Sequence, residues 1–540
     1  MRRLLPAASD YRDLRRTWRG DLLAGLTVGI VALPLALAFG VSSGAGAESG
    51  LITAIIAGVV AAVFGGSNVQ VSGPTGAMVV VLGPIIAAHG VGVLAVVCLL
   101  AGLIVLAAGV LRLGRAVTYI PWPVIEGFTL GIAVIIFLQQ VPAALGSKPG
   151  PSSNAFVAAL ESLGGISWPQ VALTLGIVAA VALIMVLTPR LHPQFPGSIV
   201  AIAVVSLICW MLQLPVATIG ALPAGLPAPV LPGTDWATLT GLIGPAVAVA
   251  ALAAIESLLS VRVAASISDT GPYDADRELV GQGLASIAAG LFGGMPATGA
   301  IARTAVNVRS GGRTRLAAIV HALALLLIVS VGAAVVGTIP LAALAGVLMV
   351  TACRMISIAT VRSVLGSTRT DAVVFVVTAI VTVSVDLIYA VLIGIAVAGF
   401  FALRALARSA GVHREELPGP AHPGDERIAL FRLDGALFFG AAERVLDRVA
   451  EIGDAEVVIL RMSQLQVLDA TGAQVVGSLV TTLERRGVTV LIKGIQTRHM
   501  RLAERVGVIA ALRHENHLFD DLPAAVEHAR SHVRRAAPGA

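Results

Sequence analysis

The sequence predicts an α-helical polytopic membrane protein: fourteen transmembrane segments arranged as 7+7 inverted repeats, followed by a small α/β domain. Three observations carry this prediction. Of 540 residues, 57% are hydrophobic and 13% charged, and the mean hydropathy of +0.91 is too high for a soluble chain of this length. Apolar runs of roughly twenty residues fill Asp21 to Arg408 and then stop. Two distant stretches also repeat one turn-forming sequence in matched order.

The first repeat, 21–214, reads as segments at Asp21–Phe39, Leu51–Phe64, Val71–Ala88, Gly92–Leu113, Val117–Leu145, Trp168–Thr188 and Phe195–Leu214. The second, 239–408, reads as Leu239–Ser260, Arg277–Phe292, Met295–Val308, Arg315–Gly337, Ile339–Ile356, Asp371–Val385 and Leu387–Ala407. Arginines fall after the even-numbered segments: Arg112 and Arg115, Arg190, Arg262, then Arg309, Arg313 and Arg315, then Arg354, Arg362 and Arg369, and finally Arg404 and Arg408. Loops after odd-numbered segments offer only Lys148, so by the positive-inside rule both termini are expected in the cytoplasm, in a cell (inner) membrane. The same topology accounts for the formal charge of +6 without nucleic acid. Residues 1–20 read as a basic cytoplasmic leader lacking the apolar region of a removable signal. Cys98, Cys209 and Cys353 lie in apolar runs with neither metal nor disulfide spacing and are expected to be packing residues.

The repeat shows at Phe64-Gly65-Gly66 before Val71-Ser72-Gly73-Pro74-Thr75-Gly76-Ala77, and at Phe292-Gly293-Gly294 before Pro296-Ala297-Thr298-Gly299-Ala300, 228 positions on (292 minus 64). A second echo, Ile120-Pro121 with Gly127 against Ile339-Pro340 with Gly346, has an offset of 219 (339 minus 120). Seven segments is an odd number, so the second copy crosses in the opposite sense. Segments three and ten are interrupted by Ser72-Gly73-Pro74 and Gly293-Gly294-Met295-Pro296, and each is expected to be an extended half followed by a half-helix. Half-helices starting near Thr75 and near Thr298 to Ala300 then meet amino end to amino end, where free N–H groups and dipoles form an anion site. Two kinked helices packed by small residues are the plainer alternative.

Arg303 lies one turn into the second half-helix, at a depth where a cation costs about 2.5–3.5 kcal/mol. Either an anionic substrate or a carboxylate partner must compensate for it. Glu256, in the eighth segment, is the candidate ion-coupling residue, with Ser260 one turn further along the same face. A permanent Glu256–Arg303 ion pair is the competing structural reading. Glu126 is expected at the interface, His321 as a hydrogen-bonded packing residue, and Gln139 and Gln140 near the outer surface, solvated. The sequence shows no catalytic, nucleotide, cofactor or metal-ligand motif, which argues against an enzyme.

Beyond a linker at 409–426, residues 427–540 alternate strand and helix. The strands are expected at Ile428–Phe439, Glu456–Met462 and Val488–Ile495, and the helices at Ala441–Ile452, Ala470–Arg486, Arg498–Leu512 and Leu522–Val533. Asp469 reads as an N-cap.

Several motifs resemble one family. Gly20-Asp21-Leu22-Leu23-Ala24-Gly25-Leu26-Thr27-Val28 and Ala32-Leu33-Pro34-Leu35-Ala36-Leu37-Ala38-Phe39 look like the first helix of SulP anion transporters. Arg277-Glu278-Leu279-Val280-Gly281-Gln282-Gly283, Gly293 to Ala300 and Arg303-Thr304 resemble its ninth and tenth segments, and Arg432 to Gly440 resembles the start of its STAS domain. The resemblance implies core and gate domains in the fold shared with uracil transporters, an elevator mechanism and a homodimer in the lipid bilayer. It implies an inorganic or organic anion as substrate, among them sulfate, bicarbonate, chloride, oxalate and dicarboxylates. Carried over by position, Phe39, Thr75, Gly76, Ala77, Thr298, Gly299, Ala300, Ile301 and Arg303 line the substrate site. Many members have Gln where this chain has Leu35. Similar sodium-coupled bicarbonate carriers have Asp at Glu256 and Thr at Ser260, a departure that favours a coupling proton over sodium. In bacterial anti-sigma-factor antagonists resembling the STAS domain, a phosphorylated serine stands at Ala470, so that regulation is expected to be absent, although Thr471 is adjacent. The resulting expectation is proton-coupled secondary transport of sulfate or a dicarboxylate. Sodium-coupled bicarbonate uptake, a passive anion channel and a STAS-mediated sensor remain as alternatives.

Overall fold

The computed structural model describes residues 4–115, 120–148, 150, 152, 154–191, 196–223, 225–385, 387–409, 411–438 and 454–536. It forms two compact units, Met1–Ile395 and Ala396–Ala540.

A helix stands at each predicted segment, thirteen of them in the first unit and the last, Leu387–Ser409, running across the boundary at Ile395. Nine helices among the described residues are long and apolar enough to cross a membrane. The other five predicted crossings are shorter: Gly76–His89, Gly197–Met211, Ala275–Leu291, Ile301–Arg309 and Arg369–Ser384. Length alone therefore does not establish fourteen spans. Helix Ile358–Ser367 and the short helix Ala155–Glu161 were not expected, because neither has a long apolar run.

The helices sort into two packed groups that alternate along the chain. Leu14–Ser42, Ala47–Phe64, Leu94–Val110, Ile243–Ile267, Ala275–Leu291 and Arg315–Gly337 pack around the two half-helices Gly76–His89 and Ile301–Arg309. Trp122–Gln139, Gln170–Leu191, Gly197–Met211, Leu341–Met355 and Arg369–Ser384 pack on one another. The first four segments of each repeat thus join one group, and the last three of the first repeat join the twelfth and thirteenth in the other, the pattern expected of two interlocked copies.

The interrupted segments follow from local chemistry. The Gly65-Gly66 pair releases the helix ending at Phe64, Pro74 cannot donate a hydrogen bond, and Gly73 takes φ +154°, which only glycine adopts freely. The freed backbone is satisfied across the repeats. Strand β1, Ser72–Gly73, pairs antiparallel with strand β2, Thr298–Gly299, in the register Ser72 to Gly299 and Gly73 to Thr298. The Ala300 N–H donates to the Val71 carbonyl at 2.8 Å, extending the pairing. Both segments are therefore broken spans, and the simple kinked-helix alternative does not describe them.

Charged residues near the ends of the bundle are structural. Asp21, fully buried, accepts from the N–H groups of Arg313 (2.7 Å) and Thr314 (3.0 Å) and the hydroxyls of Thr314 (2.7 Å) and Thr17 (2.8 Å), fixing the first helix to the start of Arg315–Gly337. Arg315 reads in the sequence as a loop cation, yet it is 2% exposed and donates to the carbonyls of Ala62 (2.9 Å) and Gly65 (2.7 Å), capping the helix that ends at Phe64. Asp21→Ala strands those donors and is expected to cost roughly 3 kcal/mol. A lowered thermal unfolding midpoint in detergent, with anion selectivity unchanged, is the expected readout, and an unchanged midpoint contradicts the anchoring role.

Gln140, expected to be solvated, is 4% exposed and accepts from the Ser42 hydroxyl at 3.2 Å, because the chain turns there into the short helix Val141–Leu145 packed on Gln170–Leu191. His321 is fully buried within helix Arg315–Gly337, as a packing residue. Glu126 accepts from the Trp122 indole N–H at 3.0 Å near the start of its helix. Cys98 and Cys209 are buried as packing residues, whereas Cys353 is exposed.

The second unit is a five-stranded sheet of order β3-β4-β5-β6-β7: β3 Gly411–Glu415, β4 Ile428–Leu437, β5 Val457–Leu468, β6 Thr489–Lys493 and β7 Leu518–Phe519. Strand β3 is antiparallel to β4 and the remaining pairs are parallel. Alternation along β5 sends Val458 and Leu460 to one face, under helix Ala470–Arg485 with Val476, Leu479 and Leu483. Val457 and Ile459 go to the other face, under Ala525, Val526, Ala529 and Val533 of helix Leu522–Ala536. Strand β3 lies in the stretch that reads as linker, since five residues with two charges carry no strand signal by themselves. Asp469 caps its helix, accepting from the Gly472 N–H at 2.7 Å. The helix predicted at Ala441–Ile452 lies outside the described residues. The sequence shows no metal-ligand spacing here, but folding brings together His517, from the turn before β7, and His528 and His532, one turn apart on the last helix.

Candidate functional site

The half-helix Gly76–His89 begins at Thr75 and the half-helix Ile301–Arg309 at Ala300, and neither is capped by a side chain. Their first-turn N–H groups therefore stay free for a ligand, and each terminus carries roughly half a positive charge. The β1–β2 pairing joins the two starts and sets them side by side. Thr75 (6% exposed), Ala77 (3%), Thr298 (0%), Ala300 (7%) and Arg303 (2%) are buried, as are Gly76 and Gly299. Ile301 is the exception at 38% exposed.

Phe39 reaches the same place from the first helix. A Cβ on Gly76 would lie 3.4 Å from the Phe39 ring and 2.3 Å from Cδ1 of Ile136. The amino end of the first half-helix thus faces the Phe39 ring and, across from it, the second helical group. A larger residue at Gly76 would have to displace the end of the Ile136 side chain.

Arg303 crosses from the second half-helix to the first. Its Nη2 donates to the Pro74 carbonyl, and Nη1, buried beside Gly73, has no hydrogen-bond partner. The ion pairs among the described residues of this unit are Arg277–Asp10 at 2.6 Å and Arg315–Asp10 at 3.9 Å, and Arg303 is in neither. Glu256 instead accepts from the Thr75 hydroxyl at 2.8 Å, at the start of the first half-helix. The permanent Glu256–Arg303 pair is therefore not the arrangement seen. Ser260, fully buried, lies 3.4 Å from the Thr304 hydroxyl, so its direct partner is on the second half-helix.

Sequence reasoning missed the polar frame behind this site. The Ser257 hydroxyl accepts from the Gly299 N–H at 3.0 Å, and that of Thr304 accepts from the Val71 N–H at 3.0 Å. Asn307 donates to the Val69 carbonyl at 2.8 Å. Glu278, 2% exposed, accepts from Gly66 N–H (2.8 Å), Gln70 (2.9 Å) and Gln282 (3.1 Å), and Gln282 also donates to Ser72. Thr53 grips both the N–H (2.7 Å) and the carbonyl (3.0 Å) of Met295. The available signal was an amide or hydroxyl side chain in an otherwise apolar run, since such a group in lipid needs a partner. Together these bonds hold two free helix amino ends and one incompletely bonded guanidinium around a common point, which suits a small anion.

Comparison with known proteins agrees. Residues 18–378 match the model of the Sulfate permease family, and residues 420–525 match the STAS domain. The putative sulfate transporter YvdB of Bacillus subtilis is 33% identical over 513 residues, covering 93% of this chain and 96% of that protein. The bicarbonate transporter BicA of Synechocystis sp. is 32% identical over 537 residues, covering 95% and 94% respectively. The solved transmembrane domain of a cyanobacterial bicarbonate transporter BicA superposes with a TM-score of 0.62 at 32% identity, covering 71% of this chain and 98% of that one. The murine Slc26a9 anion transporter in its inward-facing state gives a TM-score of 0.84 at 18% identity, over 98% of this chain and 94% of that one, a likeness of fold. The chain belongs to the sulfate permease (SulP) family: it is a multi-pass membrane anion transporter with a carboxyl-terminal STAS domain, and not an enzyme.

Proposed function

We propose that the chain is a proton-coupled secondary carrier of sulfate or a dicarboxylate, working by an elevator motion as a homodimer in the inner membrane, with both termini in the cytoplasm. The observation that carries this reading is Arg303, buried between two uncapped helix amino ends with one guanidinium nitrogen unbonded. An oxyanion with several acceptor oxygens completes that set, and a dianion matches two half-charges plus a full one. The substrate contacts are Phe39, Thr75, Gly76, Ala77, Thr298, Gly299, Ala300, Ile301 and Arg303. Glu256, bonded to Thr75 at the mouth of the first half-helix, is placed to sense whether the site is filled, and Ser260 supports the same helix face. The grouping of site helices against a separate second group supports an elevator, in which the site moves with its own group.

Bicarbonate is the second reading, favoured by the likeness to BicA over most of both chains. Proteoliposome uptake of labelled sulfate, competed by a panel of unlabelled anions under imposed proton or sodium gradients, separates the two. Sulfate or a dicarboxylate is expected to compete best and an inward proton gradient to drive uptake. Stimulation by sodium alone, with bicarbonate the strongest competitor, overturns the proposal.

A further inference from the structure

Three histidines of the STAS domain converge beside the last helix. His528 and His532 occupy one face of the last helix, four residues apart, and His517 projects from the short turn Glu515–His517 that leads into β7. One ligand nitrogen from each lies within 4.8 Å of the others. The rings meet at steep angles, 63° for His517 with His528, 82° for His517 with His532 and 66° for His528 with His532, with centroids 4.9–5.6 Å apart. These are edge-to-face contacts, an arrangement ring packing allows, so the case for a ligand rests on the nitrogen atoms.

Two further facts point to a ligand. His517 is 4% exposed and its Nδ1 has no hydrogen-bond partner, a buried polar atom left without the bond it needs. The Nε2 atoms of His528 and His532 stand 3.3 Å apart, a separation that serves either a hydrogen bond between the two rings or a shared ion. Tetrahedral zinc with Zn–N of about 2.0–2.1 Å places its ligand nitrogens about 3.3–3.4 Å apart, so two corners of such a site are already set. Burial, and then the neighbouring imidazoles, push His517 down to about 4, and burial likewise lowers His528 and His532. The positive charges around them are Arg513, Arg535 and His514 when protonated; Arg513 is held by Glu484 at 3.0 Å, and the His514 Nδ1 is occupied by the Asn516 N–H at 3.1 Å.

We propose that His517, His528 and His532 form a tri-histidine site for a divalent transition metal of the zinc class, clamping the carboxyl-terminal helix to the end of the sheet beside β7. The donor set is all imidazole, with no carboxylate or thiolate in the group, which selects zinc, cobalt, nickel or copper over magnesium and calcium. Three histidines leave a fourth position for water. Ligation closes the longest of the three separations through side-chain rotation at His517, and it ties the turn to a helix already held on the sheet by Ala525, Val526, Ala529 and Val533 and by the Arg530–Asp425 ion pair at 2.9 Å.

The test uses the full-length protein in detergent, without an affinity tag, stripped with a chelator and then titrated with zinc or cobalt(II). One metal per chain is expected by elemental analysis, with the strong visible absorption of tetrahedral cobalt and a thermal midpoint raised by zinc. The double substitution His528→Ala/His532→Ala is expected to weaken binding at least roughly a hundredfold and to abolish the thermal shift. His532→Cys keeps a ligand, so it should retain cobalt and add a thiolate-to-metal charge-transfer band, a readout that does not depend on the alanine variant folding. Wild-type protein that holds no zinc at micromolar free metal, or stoichiometric binding that survives the double substitution, overturns the site. So does cobalt bound to His532→Cys without a thiolate band.

Discussion

Arg303→Ala is expected to abolish saturable anion uptake while leaving the protein folded in the membrane. The side chain is 2% exposed, donates to the Pro74 carbonyl and keeps its other terminal nitrogen free. Removing it leaves the two helix dipoles but takes away the positive side chain of the site, in surroundings where water screens little. Loss of a charge-assisted, multidentate contact to an oxyanion is worth about 3 kcal/mol or more, so transport efficiency should fall by at least about a hundredfold. The protein should still elute as a single folded species, because Glu256, the carboxylate within electrostatic reach of Arg303, keeps its bond from the Thr75 hydroxyl. Arg303→Lys should recover only part of the activity, since an ammonium group cannot bond the Pro74 carbonyl and an anion in the same fork. Substrate-concentration curves in proteoliposomes check both variants. An alanine variant with an unchanged KM and maximal rate would remove Arg303 from the site.

Glu256→Gln is expected to separate binding from coupling. Glutamine keeps the size of the side chain and can still accept from the Thr75 hydroxyl, now 2.8 Å from the carboxylate, so the first half-helix should stay in place. What disappears is the ability to exchange a proton. Substrate competition should then be within roughly threefold of wild type, whereas stimulation by an inward proton gradient should vanish and uptake should become flat with pH. An unchanged pH dependence would falsify the coupling role. Loss of binding along with coupling would instead make Glu256 part of the frame that holds Thr75.

The broken spans were legible in the sequence because glycine and proline act locally when clustered: Gly65-Gly66 and Ser72-Gly73-Pro74 interrupt one apolar run, whereas the single Pro34 and Pro84 stay inside helices, and the matched order at Gly293-Gly294 and Pro296 gives the partner. Fold class was legible for the same reason, since apolar runs report the surrounding solvent directly. The polar frame was not. Gln70 and Glu278, or Ser257 and Gly299, meet only after the repeats interlock, and no spacing within either stretch encodes the meeting. Arg315 shows the opposite error. Counting cations in loops treats every arginine as a solvated charge, but this one is buried and caps another helix through its carbonyls. Strand β3 was missed because an edge strand needs only backbone bonds to β4, which five residues of mixed polarity provide. The histidine cluster had half a signal, the four-residue spacing of His528 and His532, and lacked the turn that delivers His517.

The pairing of β1 with β2 also bears on biogenesis. When the ribosome has finished the first repeat, Ser72 and Gly73 still lack the backbone partners that Gly299 and Thr298 supply. Extended backbone unpaired in hydrocarbon costs several kcal/mol, so this stretch must wait in a hydrated or chaperoned setting until the second repeat is threaded beside it. The pocket thus forms late and all at once. A chain cut between the repeats should yield halves that bind nothing apart, yet regain binding when the two are synthesised together.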